Sequence, residues 1–361
     1  MDFSLTEEQM MLRDSARGFL GTEWPVPELR RMLDPGDAPK AANSLWGKIA
    51  DLGWPGLLVA EDNGGLGLEL FDLVVLMEET GRHLIPGTLH ASGVLAALAV
   101  ETLGNDGAKQ RYLPDVAEGS LKATAGIYEP GSGWTAMMLR PQPDGAVTKR
   151  YVPEAADAGL ILFVNRTSGN DVELAAVGDP EVTNLHSMDT TRPIYQVTCD
   201  PDSAERVGGG TIGDLQTVLD KAAIALSAEM VGAAARVLEM TVEYVKNRKQ
   251  FGRSVGTFQA VQHKAADMLI GIEKARTACY YAAAVADEQP EKLGEAASIA
   301  KAAANSAFVF AAETGLQLHG GIGFTWEQDL HMYLKRAKAS EFAYGDSKWH
   351  LDRIAHLLAL G

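Results

Sequence analysis

The chain has 361 residues, 46% hydrophobic and 22% charged, with only two cysteines, Cys199 and Cys279, so neither a disordered composition nor a disulfide framework fits. The formal charge of -16, from 48 acidic against 32 basic residues, argues against a general nucleic-acid binder, which needs a basic face. The start, Met1-Asp2-Phe3-Ser4-Leu5, has no basic or long apolar segment, and no uncharged apolar run reaches the roughly 18 residues of a membrane span, so a cytoplasmic chain of two to three domains is expected.

Residues 1–118 read as a helical domain. Thr6-Glu7-Glu8-Gln9 has the spacing of a capping box, and Met10, Leu12, Ala16 and Leu20 follow near helical spacing. Further helices are expected over 42–52, 70–83, 89–103 and 106–117, with a glycine loop at Asn63-Gly64-Gly65-Leu66-Gly67. Residues 119–205 read as a small β domain. Turn signals at Pro130-Gly131, Pro141, Pro143-Asp144-Gly145, Ser168-Gly169-Asn170 and Asp179-Pro180 separate strand-length runs at 160–164, 172–177 and 194–199. Residues 203–210, ending in three glycines, read as a linker. Residues 206–361 read as a helical bundle: Leu215, Leu219, Ala222, Leu226, Met230, Ala233, Val237, Met240 and Tyr244 form one long apolar stripe. Helices over 257–287, 293–318, 327–340 and 344–360 follow. The fold class is therefore mainly α with a central β domain.

Two segments could carry chemistry. Arg248-Lys249-Gln250-Phe251-Gly252-Arg253 closes the long helix, where cations and a glycine complement the dipole and cap the last carbonyls. A bound phosphate or pyrophosphate explains the same cluster inside an acidic protein, because arginine donates two parallel hydrogen bonds to such groups. The residues alone leave both readings open. Gln317-Leu318-His319-Gly320-Gly321-Ile322-Gly323 is either a helix end with a tight turn or a backbone cradle for a ligand. There His319 reads as a packed or hydrogen-bonded histidine. No metal-ligand spacing, Walker motif or dinucleotide-binding glycine motif is present.

Taken in order, Phe3-Ser4-Leu5-Thr6-Glu7-Glu8-Gln9, Asn63–Gly67, Glu129-Pro130-Gly131-Ser132-Gly133, Arg248–Gly252, Phe258–His263 with Ala266-Asp267-Met268, and Gln317–Gly323 resemble the acyl-CoA dehydrogenase family along nearly the whole chain. The resemblance implies an N-terminal helical domain, a small β-barrel or sandwich, and a C-terminal four-helix bundle. It also implies FAD, an acyl-CoA substrate desaturated between Cα and Cβ, an electron-transfer flavoprotein as acceptor, and a tetramer. In that family the bundle of one subunit holds the pyrophosphate and adenine side of its neighbour's FAD. By the match, Arg248, Gln250, Phe251, Gln259, Gln317 and Gly321 are the contacts.

The departures lie at the reacting end. The family's usual catalytic glutamate precedes a glycine. Here the corresponding position, 27 after Gln317, is Tyr344, and a minority position early in the long helix falls near Ala222. Tyrosine titrates near 10 and makes a poor base at neutral pH. The flavin-facing residues of the family correspond to Tyr128, Trp134 and Tyr151-Val152-Pro153, and Pro153 has no N–H to donate. This split resembles the non-catalytic partner subunit of heteromeric bacterial members, notably those of steroid side-chain degradation. The alternative is an active homo-oligomer with a displaced carboxylate: Glu341, Asp346 or Asp220. If 341–346 were helical, rotations of about 300° and 200° would put Glu341 near the face of Tyr344 and turn Asp346 away. A DNA-associated relative would need a basic carboxyl end, and residues 299–361 hold six basic and six acidic residues.

Overall fold

A capping box opens the first helix, α1 (Glu7–Glu23): Thr6 Oγ1 accepts from Gln9 N–H at 3.2 Å, and Gln9 Oε1 accepts from Thr6 N–H at 3.1 Å. Helices α2 (Val26–Arg31), α3 (Ala38–Asp51), α4 (Leu70–Arg82), α5 (Ala97–Leu103) and α6 (Asp106–Ala117) follow. The expected helix over 89–103 instead begins as eight π-helical residues, Leu89–Ala96, before α5. In this computed structural model the described residues are 4–134, 136–140, 145–167 and 169–359. The expectations that rest on Met1-Asp2-Phe3, Pro141, Pro143-Asp144, Ser168 and the end of the last helix at Leu360 lie outside them.

Seven strands make two sheets among the described residues. β1 (Ala123–Gly126), β3 (Leu160–Arg166), β4 (Asp171–Val177) and β7 (Ala204–Thr211) form one, in the order β1-β3-β4-β7. β2 (Val147–Pro153), β6 (Ile194–Cys199) and β5 (Glu181–Asn184) form the other, in the order β2-β6-β5. Val147, Val152, Ile161, Phe163, Val197 and Cys199 pack between them. The expected linker at 203–210 is therefore a strand, paired to β4 along its length. Its glycines serve close approach: a Cβ on Gly208 would lie 2.0 Å from the Leu103 carbonyl oxygen.

The remaining chain is helical: α7 (Ile212–Asn247), α8 (Gln259–Glu288), α9 (Leu293–His319), α10 (Leu330–Phe342) and α11 (Ser347–Leu357), with a two-residue hairpin β8 (Lys249–Gln250) and β9 (Arg253–Ser254) between α7 and α8. No described helix is long and apolar enough to cross a membrane. The chain gathers into two units. One holds residues 1–29, 70–85 and 223–361; the other holds 30–69 and 86–222.

In the first unit, α7 is buried on every side over residues 223–235, more than one apolar stripe predicts. It crosses α4 at two glycines. A Cβ on Gly81 would lie 1.8 Å from the Glu229 carbonyl oxygen, and one on Gly232 would lie 1.7 Å from that of Glu78. The carboxylates of the same two residues are also taken up. Arg336 on α10, 1% exposed, donates to Glu229 Oε1 at 2.6 Å and to the Ile85 carbonyl at 3.1 Å. Arg276 and Tyr280 on α8 donate to Glu78 at 2.9 and 3.1 Å.

Helices α10 and α11 do not run to the expected limits, 327–340 and 344–360. Tyr344 (φ 60°) and Gly345 (φ 115°) break the chain into a turn, and Asp346 then caps α11 by accepting from Trp349 N–H at 2.8 Å. Lys301 on α9, fully buried, holds this turn. Its Nζ donates to Asn305 Oδ1 at 2.6 Å and to the carbonyls of Ser340, Glu341 and Gly345 at 3.0, 3.4 and 3.3 Å. Burial holds the ammonium down to about 7, with Glu341 and Asp346 pulling it up. Beneath the turn, His350 is 1% exposed and neither ring nitrogen makes a well-formed hydrogen bond. Burial first, then the charges of Lys301 and Arg353, push its imidazole down to about 3.

Two expectations follow. Arg336→Met leaves Glu229 charged and buried, and should cost about 3–5 kcal/mol in urea unfolding, most of it recovered when Glu229→Met is added. His350 is folded neutral, so between pH about 6.5 and 3 the unfolded chain binds a proton that the folded chain refuses. Stability should fall as pH drops below 6.5, by up to about 1.4 kcal/mol per pH unit from this group, and His350→Leu should flatten that slope.

Candidate active site and cofactor-facing surface

The end of the bundle where α7 and α9 stop gathers the cofactor residues expected from sequence. Arg248 follows α7 directly; its N–H donates to the Tyr244 carbonyl at 2.8 Å, and its own carbonyl accepts from Val255 N–H at 2.8 Å. Ser254 Oγ closes the helix by donating to the Val245 and Lys246 carbonyls at 2.7 and 2.9 Å. The hairpin turn consists of Phe251 (φ 53°) and Gly252 (φ 76°), both left-handed. Phe251 is therefore a strained, non-glycine residue, and it is 90% exposed. Gln250 on the hairpin and Gln259, the first residue of α8, are exposed as well.

Tyr244 on α7 connects this segment to the glycine loop after α9. Its ring stacks on His319, with centroids 4.2 Å apart and planes 19° from parallel. His319 is buried, and its Nδ1 lies 2.8 Å from the Gly315 carbonyl, so it is the packed histidine expected from sequence. Burial keeps it below the usual histidine range, against the pull of that carbonyl. The three glycines differ. Gly320 takes φ 65°, and Gly323 packs so that a Cβ would lie 2.7 Å from the Leu316 carbonyl oxygen. Gly321 has neither constraint: a Cβ there meets nothing of this chain within 4 Å. Gln317, Gly320, Gly321 and Phe324 are exposed.

These residues fit the anionic side of a dinucleotide. Arg248 offers a forked donor, Gln250, Gln259 and Gln317 offer amides, and Gly321 offers open backbone. Among the described residues, no carboxylate pairs with Lys246, Arg248 or Lys249. A helix-capping role alone leaves these cations without partners. No group of three or more metal-ligating side chains occurs among the described residues.

The flavin-facing positions expected from sequence carry bulky rings, two of them phenols, instead of small hydroxyl side chains. Tyr128 and Trp134 meet edge to face at 5.5 Å, Trp134 and Tyr151 lie 6.1 Å apart, and the Arg150 guanidinium sits 5.5 Å from the Tyr151 ring. Sequence reasoning missed what holds them. Lys149, wholly buried, donates to Glu129 Oε1 at 2.9 Å and to the Ile127 and Val164 carbonyls at 3.2 and 2.7 Å. Glu129 Oε2 accepts from Arg140 N–H at 2.9 Å, which closes the loop. Its alternation on β2, with Val147 and Lys149 both inward, was the one available signal.

None of the alternative carboxylates shares a helix with Tyr344, because Tyr344 lies in a turn; the rotation argument for Glu341 and Asp346 does not apply. Asp346 and Asp220 are occupied elsewhere, whereas Glu341 faces a groove. Glu341, on the last turn of α10, lies 3.7 Å from Lys338 and lines a groove of about 590 Å³ with Gly271, Lys274, Phe310 and Glu313. Asp346 is the α11 cap. Asp220, 5% exposed, accepts from Gln216 Nε2 at 3.1 Å.

Comparison with known proteins places this geometry. Residues 6–120 match the acyl-CoA dehydrogenase N-terminal domain and residues 211–359 the acyl-CoA dehydrogenase C-terminal domain. Acyl-CoA dehydrogenase IpdE2 of Mycobacterium tuberculosis is 33% identical over 337 residues, 92% of each chain. Among solved structures, a Tcur3481–Tcur3483 steroid acyl-CoA dehydrogenase variant is 30% identical with a TM-score of 0.85, covering 98% of both chains. The ChsE4–ChsE5 complex from Mycobacterium tuberculosis is 26% identical with a TM-score of 0.86, covering 100% of both. With helices before and after two β sheets, and both domain models matched in order, the chain belongs to the acyl-CoA dehydrogenase family of FAD-dependent oxidoreductases.

Proposed function

We propose that this chain is the partner subunit of a heteromeric acyl-CoA dehydrogenase, completing the FAD site of a related chain that supplies the catalytic base. One contrast carries the reading. The residues assigned to a neighbour's cofactor are gathered, exposed and free of competing ion pairs at one end of the bundle. The residues assigned to this chain's own chemistry are Tyr344 in a turn and three rings at the flavin-facing loop. Two similar structures are of paired proteins, Tcur3481–Tcur3483 and ChsE4–ChsE5, and the first is a steroid enzyme, which supports a bulky acyl-CoA as substrate class.

In this reading Arg248 binds the pyrophosphate, Gln250, Gln259 and Gln317 donate to the phosphates or adenine, and Gly321 lets backbone approach them. Phe251, held outward by its hairpin, covers the cofactor's apolar face and excludes water. FAD, when bound, is the acceptor of the substrate's β-hydride. Tyr344 offers a phenol and not a carboxylate at the position expected for the base, so the α-proton goes to a carboxylate of the related chain. The reduced enzyme passes electrons to an electron-transfer flavoprotein, and the location is cytoplasmic. The single-chain reading with Glu341, Asp346 or Asp220 as base draws its support from Glu341, which lines the groove of about 590 Å³; Asp346 serves as a helix cap and Asp220 accepts from Gln216.

The test is purification of the chain alone and co-expressed with its related chain. Alone, it should hold FAD well below one per chain and fail to bleach it anaerobically with acyl-CoA; general-base loss is worth about 10² to 10⁴-fold. Together, the chains should hold FAD and turn over, and Glu341→Gln in this chain should leave turnover near normal. A lone chain with one FAD per subunit and turnover abolished by Glu341→Gln would overturn the reading. Arg248→Ala should weaken FAD binding in the assembly by about 1.5–3 kcal/mol, measured by fluorescence titration.

A further inference from the structure

The two cofactor-facing segments, the Arg248 hairpin and the Gln317–Gly321 loop, lie 69 residues apart in sequence (317 minus 248) and on different helices. A pyrophosphate-and-adenine ligand touches both only if their spacing is fixed. A direct connection joins α7 and α9 at that level. Helix α9 approaches α7 closely at Gly315, where a Cβ would lie 2.8 Å from Val237 Cγ1 and 3.1 Å from Thr241 Oγ1. One turn further along each helix, the His319 ring stacks on the Tyr244 ring at 4.2 Å. Tyr244 then accepts the Arg248 N–H through its carbonyl, and His319 sits two residues from both Gln317 and Gly321. His319 Nδ1 is fixed by the Gly315 carbonyl, so the ring cannot turn without breaking a 2.8 Å contact.

We infer that the Tyr244–His319 stack is a positioning pair that sets the distance between Arg248 and the Gln317–Gly321 loop for cofactor binding. Neither ring needs to touch the ligand. The pair acts through the Arg248 backbone on one side and the loop backbone on the other. The inference rests on the assignment of this bundle end to FAD, and holds whether the FAD belongs to a related chain or to a second copy.

The experiment uses whichever assembly retains FAD, with FAD affinity measured by titration and the unfolding midpoint of the cofactor-stripped assembly measured beside it. His319→Leu should weaken FAD on the order of tenfold, the scale of one hydrogen bond to a charged group. His319→Phe, which keeps a flat ring on Tyr244, should stay within about threefold of the parent protein, even if both variants lower the stripped assembly's midpoint alike. Because the stack acts by placing Arg248, the Arg248→Ala penalty should shrink in the His319→Leu background. If His319→Leu does not assemble, Tyr244→Leu probes the same stack from the half-exposed ring and should give the same loss. FAD affinity within twofold of the parent in both leucine variants, while Arg248→Ala still weakens it, overturns the positioning role alone. An Arg248→Ala variant of unchanged affinity overturns the cofactor placement and this inference with it. His319→Phe as weak as His319→Leu overturns the stacking argument.

Discussion

The crossing of α4 and α7 is the constraint on which the helical unit depends. Two backbone carbonyls, of Glu78 and Glu229, press into the space where Gly232 and Gly81 lack side chains. Such contact fixes the interaxial distance below what any side chain allows. The same two residues then point carboxylates outward from the crossing, to Arg276 and Tyr280 on α8 and to Arg336 on α10. One tight contact thus specifies where three further groups must be. Desolvation offsets much of the attraction within these buried pairs, so removing one partner costs more than the pair itself contributes.

Much of the fold was legible because its signals are local. The Thr6 capping box is an interaction within a few residues, and the α7 periodicity and the strand runs at 160–164, 172–177 and 194–199 show in the local pattern of apolar and polar residues. Failures came where tertiary contact gives a residue its meaning. Gly208, Gly209 and Gly210 look like a linker, yet each lacks room for a side chain: Gly208 lies against the Leu103–Gly104 backbone, Gly209 against the Val172 carbonyl, and Gly210 against the Leu103 and Asp214 side chains. The turn at Tyr344 was read as helix because a tyrosine at φ 60° gives no sign of itself; only Gly345 and the Asp346 cap signalled a break.

The candidate site divides in the same way. Arg248, Gln259 and Gln317 were legible as a motif, and their exposure at one bundle end agrees with a role toward something outside the chain. Lys149 and Lys301 were only faintly legible as buried cations, since the neighbouring residues do little to distinguish a lysine that is wholly enclosed from one in water. Each gathers carbonyl oxygens from separate elements, information that exists only after folding. Ala300 and Ala302 beside Lys301 gave a faint signal, an apolar surrounding for a charge.

The grip of Lys301 on the turn between α10 and α11 has a consequence for how this position can change. The bonds that shape the turn run to the carbonyls of residues 340, 341 and 345, none of which depends on a side chain. Lys301 therefore shapes the turn through backbone atoms, while residue 344 at φ 60° stays in the left-handed region, where a side chain is strained and glycine is favoured. A substitution there changes both the group offered at the turn and the strain of a left-handed residue, so the backbone conformation that Lys301 holds limits which residues position 344 accepts.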